Sequence, residues 1–82
     1  MGGLSIEARN QMAAERRTLS LLIGDLERKG FIHAHACVLA RMLISHGIKT
    51  TDGIRFELSG KLTSIFDERG DKRRIVGQVE RS

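Results

Sequence analysis

The spacing of apolar residues changes near the middle of the chain, from a helical period to strict alternation. From Ser5 to Lys29 apolar side chains recur every three or four residues, which predicts helix, and Gly30 provides the stop. Ser5 has the side chain of an N-cap. Thr18 is an equally good start for a second helix, and Gly24 weakens the helix interior. The pattern therefore allows either one helix or two in this segment.

A further helix is predicted from about His33 to His46, with Gly47 as its C-terminal stop. Most of its circumference is apolar, which indicates a helix that is buried on most sides. The link between the two helical segments is short, and this favours an antiparallel pair. The polar strip that we expect to be exposed consists of His35, Arg41 and Ser45.

After Ile48 the period of the apolar residues becomes two, and turn residues divide the rest of the chain into three short segments. Strands are predicted at about Ile54–Leu58, Lys61–Phe66 and Arg73–Glu80. Short turns between consecutive strands predict an antiparallel meander. On the third strand, Ile75 and Val79 are expected on one face.

The predicted fold class is therefore α+β, with two N-terminal helices, or three, packed on a C-terminal three-stranded antiparallel β-meander. We expect a single domain over residues 1–82, with a helical part at about 5–46 and the meander at about 54–80. One cysteine cannot form an internal disulfide, so a domain this small is expected to gain stability from self-association. A homodimer through the helical face is the prediction.

The pair that most resembles reactive chemistry is His33 and Cys37, which lie four apart and so on the same side of a helix. A structural zinc site requires four ligands, and the chain has no CxxC or HxxxH pattern to supply them. A free cysteine is most often a small buried apolar residue. We therefore predict no enzyme activity, no metal site and no cofactor.

The composition of the chain indicates where the protein is located and which class of partner it can bind. The formal net charge is +4, with 14 basic and 10 acidic residues mixed along the chain, which permits an acidic partner such as nucleic acid. The single cysteine and the lack of a signal-like segment predict a cytoplasmic protein. No apolar stretch approaches the length of a membrane span, so no membrane partner is expected.

Basic residues cluster in the predicted meander and on the first helix. Arg55 and Arg74 are expected on the face of the sheet away from the helices, with Lys61 near one end, as a positive strip for a phosphate backbone. The alternative is that these cations protect strand edges from pairing with other chains. The complete set of predicted nucleic-acid-binding residues is Arg55, Lys61, Arg69, Lys72, Arg73, Arg74, Arg16 and Arg17.

One segment resembles a known family. RRTLSLLIGDLERKGFI (Arg16 to Ile32) is similar to the recognition helix of winged-helix DNA-binding regulators, and it covers about a fifth of the chain. The resemblance implies DNA binding. In that family a strand and a wing come directly after the helix, whereas here HAHACVLARMLISHG predicts another helix, so the chain is not assigned to the family.

Together these features predict a small non-enzymatic regulatory or accessory protein that binds nucleic acid, with DNA favoured, through a basic sheet face. The contacts would be mainly to phosphate and hence weakly sequence-specific. The alternative function is a protein-binding inhibitor or adaptor that docks on a larger protein. Its motivation is the apolar excess of Leu19–Leu26 and Ala34–Ile44, which exceeds what a two-helix hairpin hides by itself.

Overall fold

A computed structural model describes the backbone of residues 6–81 and the side chains of residues 13–81. It contains two helices followed by three strands, which confirms the predicted α+β class. The N-cap predicted at Ser5 lies outside the described residues. No helix within residues 6–81 is long and apolar enough to cross a membrane. The elements are α1 (Ile6–Arg28), α2 (His33–Ser45), β1 (Ile54–Ser59), β2 (Leu62–Asp67) and β3 (Arg74–Glu80).

Helix α1 runs without interruption through Thr18 and Gly24, so the two-helix alternative is wrong. Its end has the geometry that the sequence predicted. Gly30 takes a positive φ of 107°, and the Phe31 N–H donates to the Leu26 carbonyl at 3.2 Å. This six-to-one bond satisfies a carbonyl that the helix itself leaves free, and it turns the chain back toward α2.

The end of α2 repeats the same device. Gly47 has a φ of 74°, and the Ile48 N–H donates to the Leu43 carbonyl at 2.9 Å. A glycine accepts this backbone conformation without the steric cost that a Cβ would bring. The turn directs Ile48, which is 2% exposed, into the core ahead of the sheet.

Both helices and the sheet contribute to one hydrophobic core. Helix α2 packs against α1 and against β3, so it is the element between them. Burying these side chains supplies most of the favourable free energy of folding. The buried apolar residues are Leu22, Leu26, Ala36, Leu39, Ala40, Leu43, Ile48, Ile54, Ile65 and Val79.

The sheet has the order β1-β2-β3 with antiparallel neighbours, as the meander prediction required. Its register contains one irregularity. Ile65 lies opposite Gly77 whereas Phe66 lies opposite Ile75, so Val76 is an extra residue in β3. Because of this extra residue, the inside–outside alternation of side chains before the bulge is shifted by one position relative to the alternation after it.

The bulge overturns one prediction about β3. Val79 is buried against the helices, but Ile75 is 60% exposed and lies opposite Phe66 on the other side of the sheet. The two residues therefore do not share a face. We call the side of the sheet away from the helices the outer sheet face. By alternation it carries Arg55 and Glu57 of β1, Ser64 and Phe66 of β2, and Ile75, Gln78 and Glu80 of β3.

His35 was predicted on the exposed strip of α2, and this prediction is wrong. The side chain is only 6% exposed, and its Nε2 is hydrogen-bonded to the Thr63 hydroxyl at 2.9 Å. Thr63 is itself fully buried on the inner side of β2. The imidazole faces the sheet because this hydrogen bond satisfies both buried polar groups.

Candidate nucleic-acid interface

On the outer sheet face, two predicted site residues share one carboxylate. Arg55 Nε and Arg73 Nη2 each lie 3.0 Å from Glu57 Oε1. The guanidinium of Arg73 also sits 3.8 Å above the ring centroid of Phe66. Glu80 lies on the same face but at its other end, opposite Leu62. The predicted positive strip is therefore partly neutralised by Glu57.

Arg74 does not lie on this face, contrary to the prediction. It pairs in register with Asp67, which belongs to the helix side of the sheet. It lines a small cavity there with His46 and Ile48. The cause is the bulge at Val76. Because of the extra residue, the residues that precede it in β3 face the side of the sheet opposite to the side that uninterrupted alternation predicts.

Arg69 is held by Asp67 at the turn after β2. Its Nε and Nη2 lie 2.9 Å from the two carboxylate oxygens, and its backbone N–H donates to Oδ1 at 3.0 Å. These hydrogen bonds, first from the side chain and then from the backbone, lower the pKa of Asp67 from 3.8 to about 2. The carboxylate in turn raises the pKa of the guanidinium. Arg69 therefore fixes the turn.

The Asp67–Arg69 pair predicts a specific pH dependence of stability. Because the folded-state pKa of Asp67 is depressed, its stabilisation is complete above the unfolded pKa of about 4 and is lost as the pH falls through about 2. Asp67→Asn is expected to be less stable than wild type at pH 7, and the gap is expected to narrow between pH 4 and 2. Urea unfolding of both proteins across this range measures the gap. A gap that stays constant down to pH 2 contradicts the assignment.

The remaining predicted residues lie far apart. Lys61 precedes β2 and Lys72 follows it, so about six residues of extended strand, roughly 20 Å, separate them. Arg16 and Arg17 are exposed on α1. The eight predicted residues are therefore divided between two ends of the sheet, both of its faces and a helix. Arg55 and Arg73 meet at Glu57, and Arg69 and Arg74 line one small cavity with Asp67.

A different group of cations does converge. We call it the basic cleft, an opening of about 420 Å³ at the end of the sheet near the start of α2. Lys29 enters it from the end of α1, Lys61 from the β1–β2 turn and Arg81 from the residue after β3. The Arg81 N–H donates to the Lys61 carbonyl at 2.6 Å, and Arg81 Nη2 donates to the Gly60 carbonyl at 2.6 Å. These bonds hold Arg81 beside Lys61.

The walls of the basic cleft are largely apolar. Ile32 is 67% exposed and Leu58 is 56% exposed, and both line it. The Phe31 ring lies with its centroid 5.6 Å from both the Phe56 ring and the His35 ring, which fixes its position. Among the described residues, no aspartate or glutamate lines the cleft. The cleft therefore combines three cations with an apolar surface.

The pKa of His35, which lines the cleft, is affected by one of the cleft's cations. Burial lowers the pKa of its imidazole, and the positive charge of Arg81 lowers it further. Both effects oppose a further positive charge at this position. Arg81 thus contributes a positive potential at the floor of the cleft, where His35 lies.

Two residues of the basic cleft, Lys29 and Arg81, were missed by the sequence reasoning. Lys29 was considered only as the last residue of the first predicted helical segment. Arg81 lies beyond the predicted end of the third strand. A signal was present, since antiparallel pairing of β2 with β3 sets Leu62 opposite Glu80 and so carries Arg81 to Lys61.

His33 and Cys37 do lie together, as their spacing predicted. His33 Nε2 is 3.5 Å from Cys37 Sγ, and His33 Nδ1 is 3.1 Å from Glu27 Oε1. The thiol is half-buried, whereas the side chain of His33 is 71% exposed. Among the residues with described side chains, no three histidine, cysteine, aspartate or glutamate residues are grouped to hold a metal ion.

No protein family model, no curated protein and no solved structure matches the chain. The function has therefore to be inferred from the charge and shape of the protein's own surface.

Proposed function

We propose that this is a non-enzymatic regulatory protein that binds nucleic acid by seating phosphate groups in the basic cleft. The observation that carries the proposal is the convergence of Lys29, Lys61 and Arg81 on one cleft that no described carboxylate lines. Phosphate contacts supply the sequence-independent part of nucleic-acid affinity, and they need only correctly placed cations. The binding is accordingly weakly sequence-specific.

The charge balance of the other basic residues favours the cleft over the outer sheet face. Arg55 and Arg73 are engaged by Glu57, and Arg69 is engaged by Asp67. A phosphate would have to compete with these carboxylates. Of the eight residues predicted from the sequence, Lys61 is the one that lines the cleft.

Salt dependence tests the proposed function. Three phosphate contacts predict that log K against log salt has a slope of about −2 on single-stranded DNA and about −3 on duplex DNA. Fluorescence anisotropy of labelled oligonucleotides, titrated at several salt concentrations, measures both slopes. Absence of binding at low salt, or binding with a slope near zero, contradicts the proposal.

A second candidate function is the protein-binding module. It is favoured by Ile75, which is 60% exposed on the outer sheet face, and by the edges of β1 and β3, each of which pairs only with β2 within residues 6–81. A partner that adds a strand to such an edge relies on backbone hydrogen bonds. Binding of that kind survives high salt, whereas phosphate contacts do not.

Self-association and location complete the proposal. The homodimer stays a prediction, supported by two apolar side chains exposed on the helices, Leu21 at 64% and Val38 at 48%. A cytoplasmic setting is supported by the single cysteine, Cys37, which is free.

A further inference from the structure

Three elements deliver one cation each to the basic cleft, and they approach it from different directions. Lys29 follows α1, Lys61 lies in the β1–β2 turn and Arg81 follows β3. Arg81 is fixed by two hydrogen bonds to backbone carbonyls, so part of the site is organised before any ligand arrives. Preorganisation of this kind reduces the entropy cost of binding.

Three cations in one cleft suit a phosphate monoester better than an internal phosphodiester. An internal phosphodiester carries one negative charge and is flanked by a sugar on each side. A phosphate monoester carries about 1.5 to 2 negative charges at neutral pH and has three strong acceptor oxygens. We propose that one of the phosphates seated in the basic cleft is the terminal phosphate monoester of a nucleic-acid strand, an inference that rests on the proposed function and narrows its ligand to a strand end.

In this proposal, the sugar and base of the terminal nucleotide pack against the apolar walls of the cleft. Phe31, Ile32 and Leu58 line the same opening as the cations, and the volume of about 420 Å³ lies within the range of about 300 to 1,000 Å³ that is usual for small-molecule sites. The Phe31 ring is already held by Phe56 and His35. A base or sugar packed on these side chains removes apolar surface from water, which an isolated inorganic phosphate does not do.

Single-stranded oligonucleotides of one sequence test the inference when they carry a 5′-phosphate, a 3′-phosphate or hydroxyl groups at both ends. We expect one of the phosphorylated oligonucleotides to bind about tenfold more tightly than the hydroxyl form. This preference is expected to disappear in Lys61→Gln and in Lys29→Gln. It is expected to remain in Lys49→Gln, which removes the same charge beyond the other end of α2. Circular dichroism confirms that each variant is folded.

The outcomes separate the inference from the proposed function. Equal affinity for all three oligonucleotides overturns the terminal-phosphate inference and leaves nucleic-acid binding standing. Loss of the preference in Lys49→Gln as well overturns the assignment to this cleft. Phenyl phosphate provides an independent arm, since it is expected to shift the NMR resonances of the His35 ring but not those of the His46 ring. Phenyl phosphate bound at His35 without any oligonucleotide binding supports the cleft as a monoester site and overturns the proposed function.

Discussion

Replacing Lys29 and Lys61 together by glutamine is expected to weaken nucleic-acid binding about 10- to 100-fold at low salt. Each lysine supplies a charge-assisted contact, and losing one costs about a factor of ten in affinity. Both side chains are exposed, so the substitutions should leave the fold intact. Fluorescence anisotropy with one labelled oligonucleotide measures the change, and thermal unfolding confirms that the stability is unaltered.

The matched control removes two positive charges from the outer sheet face. In Arg55→Gln with Arg73→Gln the net charge falls by the same amount, but the substitutions release the carboxylate of Glu57 from both guanidinium groups. Surface ion pairs contribute little to stability, and these arginines are already engaged. The control is expected to change affinity by no more than about threefold. A larger loss in the control than in the lysine pair contradicts the assignment of the cleft.

Ile65→Ala is expected to lower the free energy of unfolding by about 2 to 5 kcal/mol. Ile65 is fully buried at the centre of the middle strand, opposite Phe56 on one side and Gly77 on the other. Met42 occupies the space above Gly77, where a Cβ would come within 2.6 Å of its sulfur. The substitution therefore leaves a cavity in a densely filled region. Urea unfolding at neutral pH measures the loss.

Ile75→Ala is the matched control, because it deletes the same atoms from a side chain that is 60% exposed. Surface substitutions usually change stability by no more than about 0.5 kcal/mol. Similar losses at the two positions contradict the bulge that places Ile75 on the outer sheet face.

Much of the fold could be predicted because the local signals agree with the final structure. The change of apolar period near Gly47 separates helix from strand, and Gly30 and Gly47 both take the positive φ that their position implied. In each case one residue and its neighbours determine the outcome, so no knowledge of distant contacts is needed. The sequence left open whether α1 continues through Thr18 and Gly24, because their intrinsic preferences are weak compared with tertiary packing.

The wrong predictions concern residues whose position depends on contacts with residues that are distant in the sequence. The bulge at Val76 depends on how β3 pairs with β2, and it alone moves Arg74 and Ile75 to the faces opposite to those predicted. His35 is buried because Thr63, 28 residues away along the chain, offers it a hydrogen bond. A count of basic residues also cannot show that Glu57 forms ion pairs with both Arg55 and Arg73. The candidate site was therefore predicted in its chemistry but not in its position.

The salt dependence of binding, measured side by side on single-stranded DNA for wild type and the two double variants, tests the cleft most directly. Each phosphate contact contributes about −0.7 to the slope of log K against log salt. We predict a slope of about −2 for wild type and for Arg55→Gln with Arg73→Gln, and a slope of about −0.7 for Lys29→Gln with Lys61→Gln. Three equal slopes, or a reduced slope only in the arginine pair, would show that phosphate is not bound where Lys29, Lys61 and Arg81 meet.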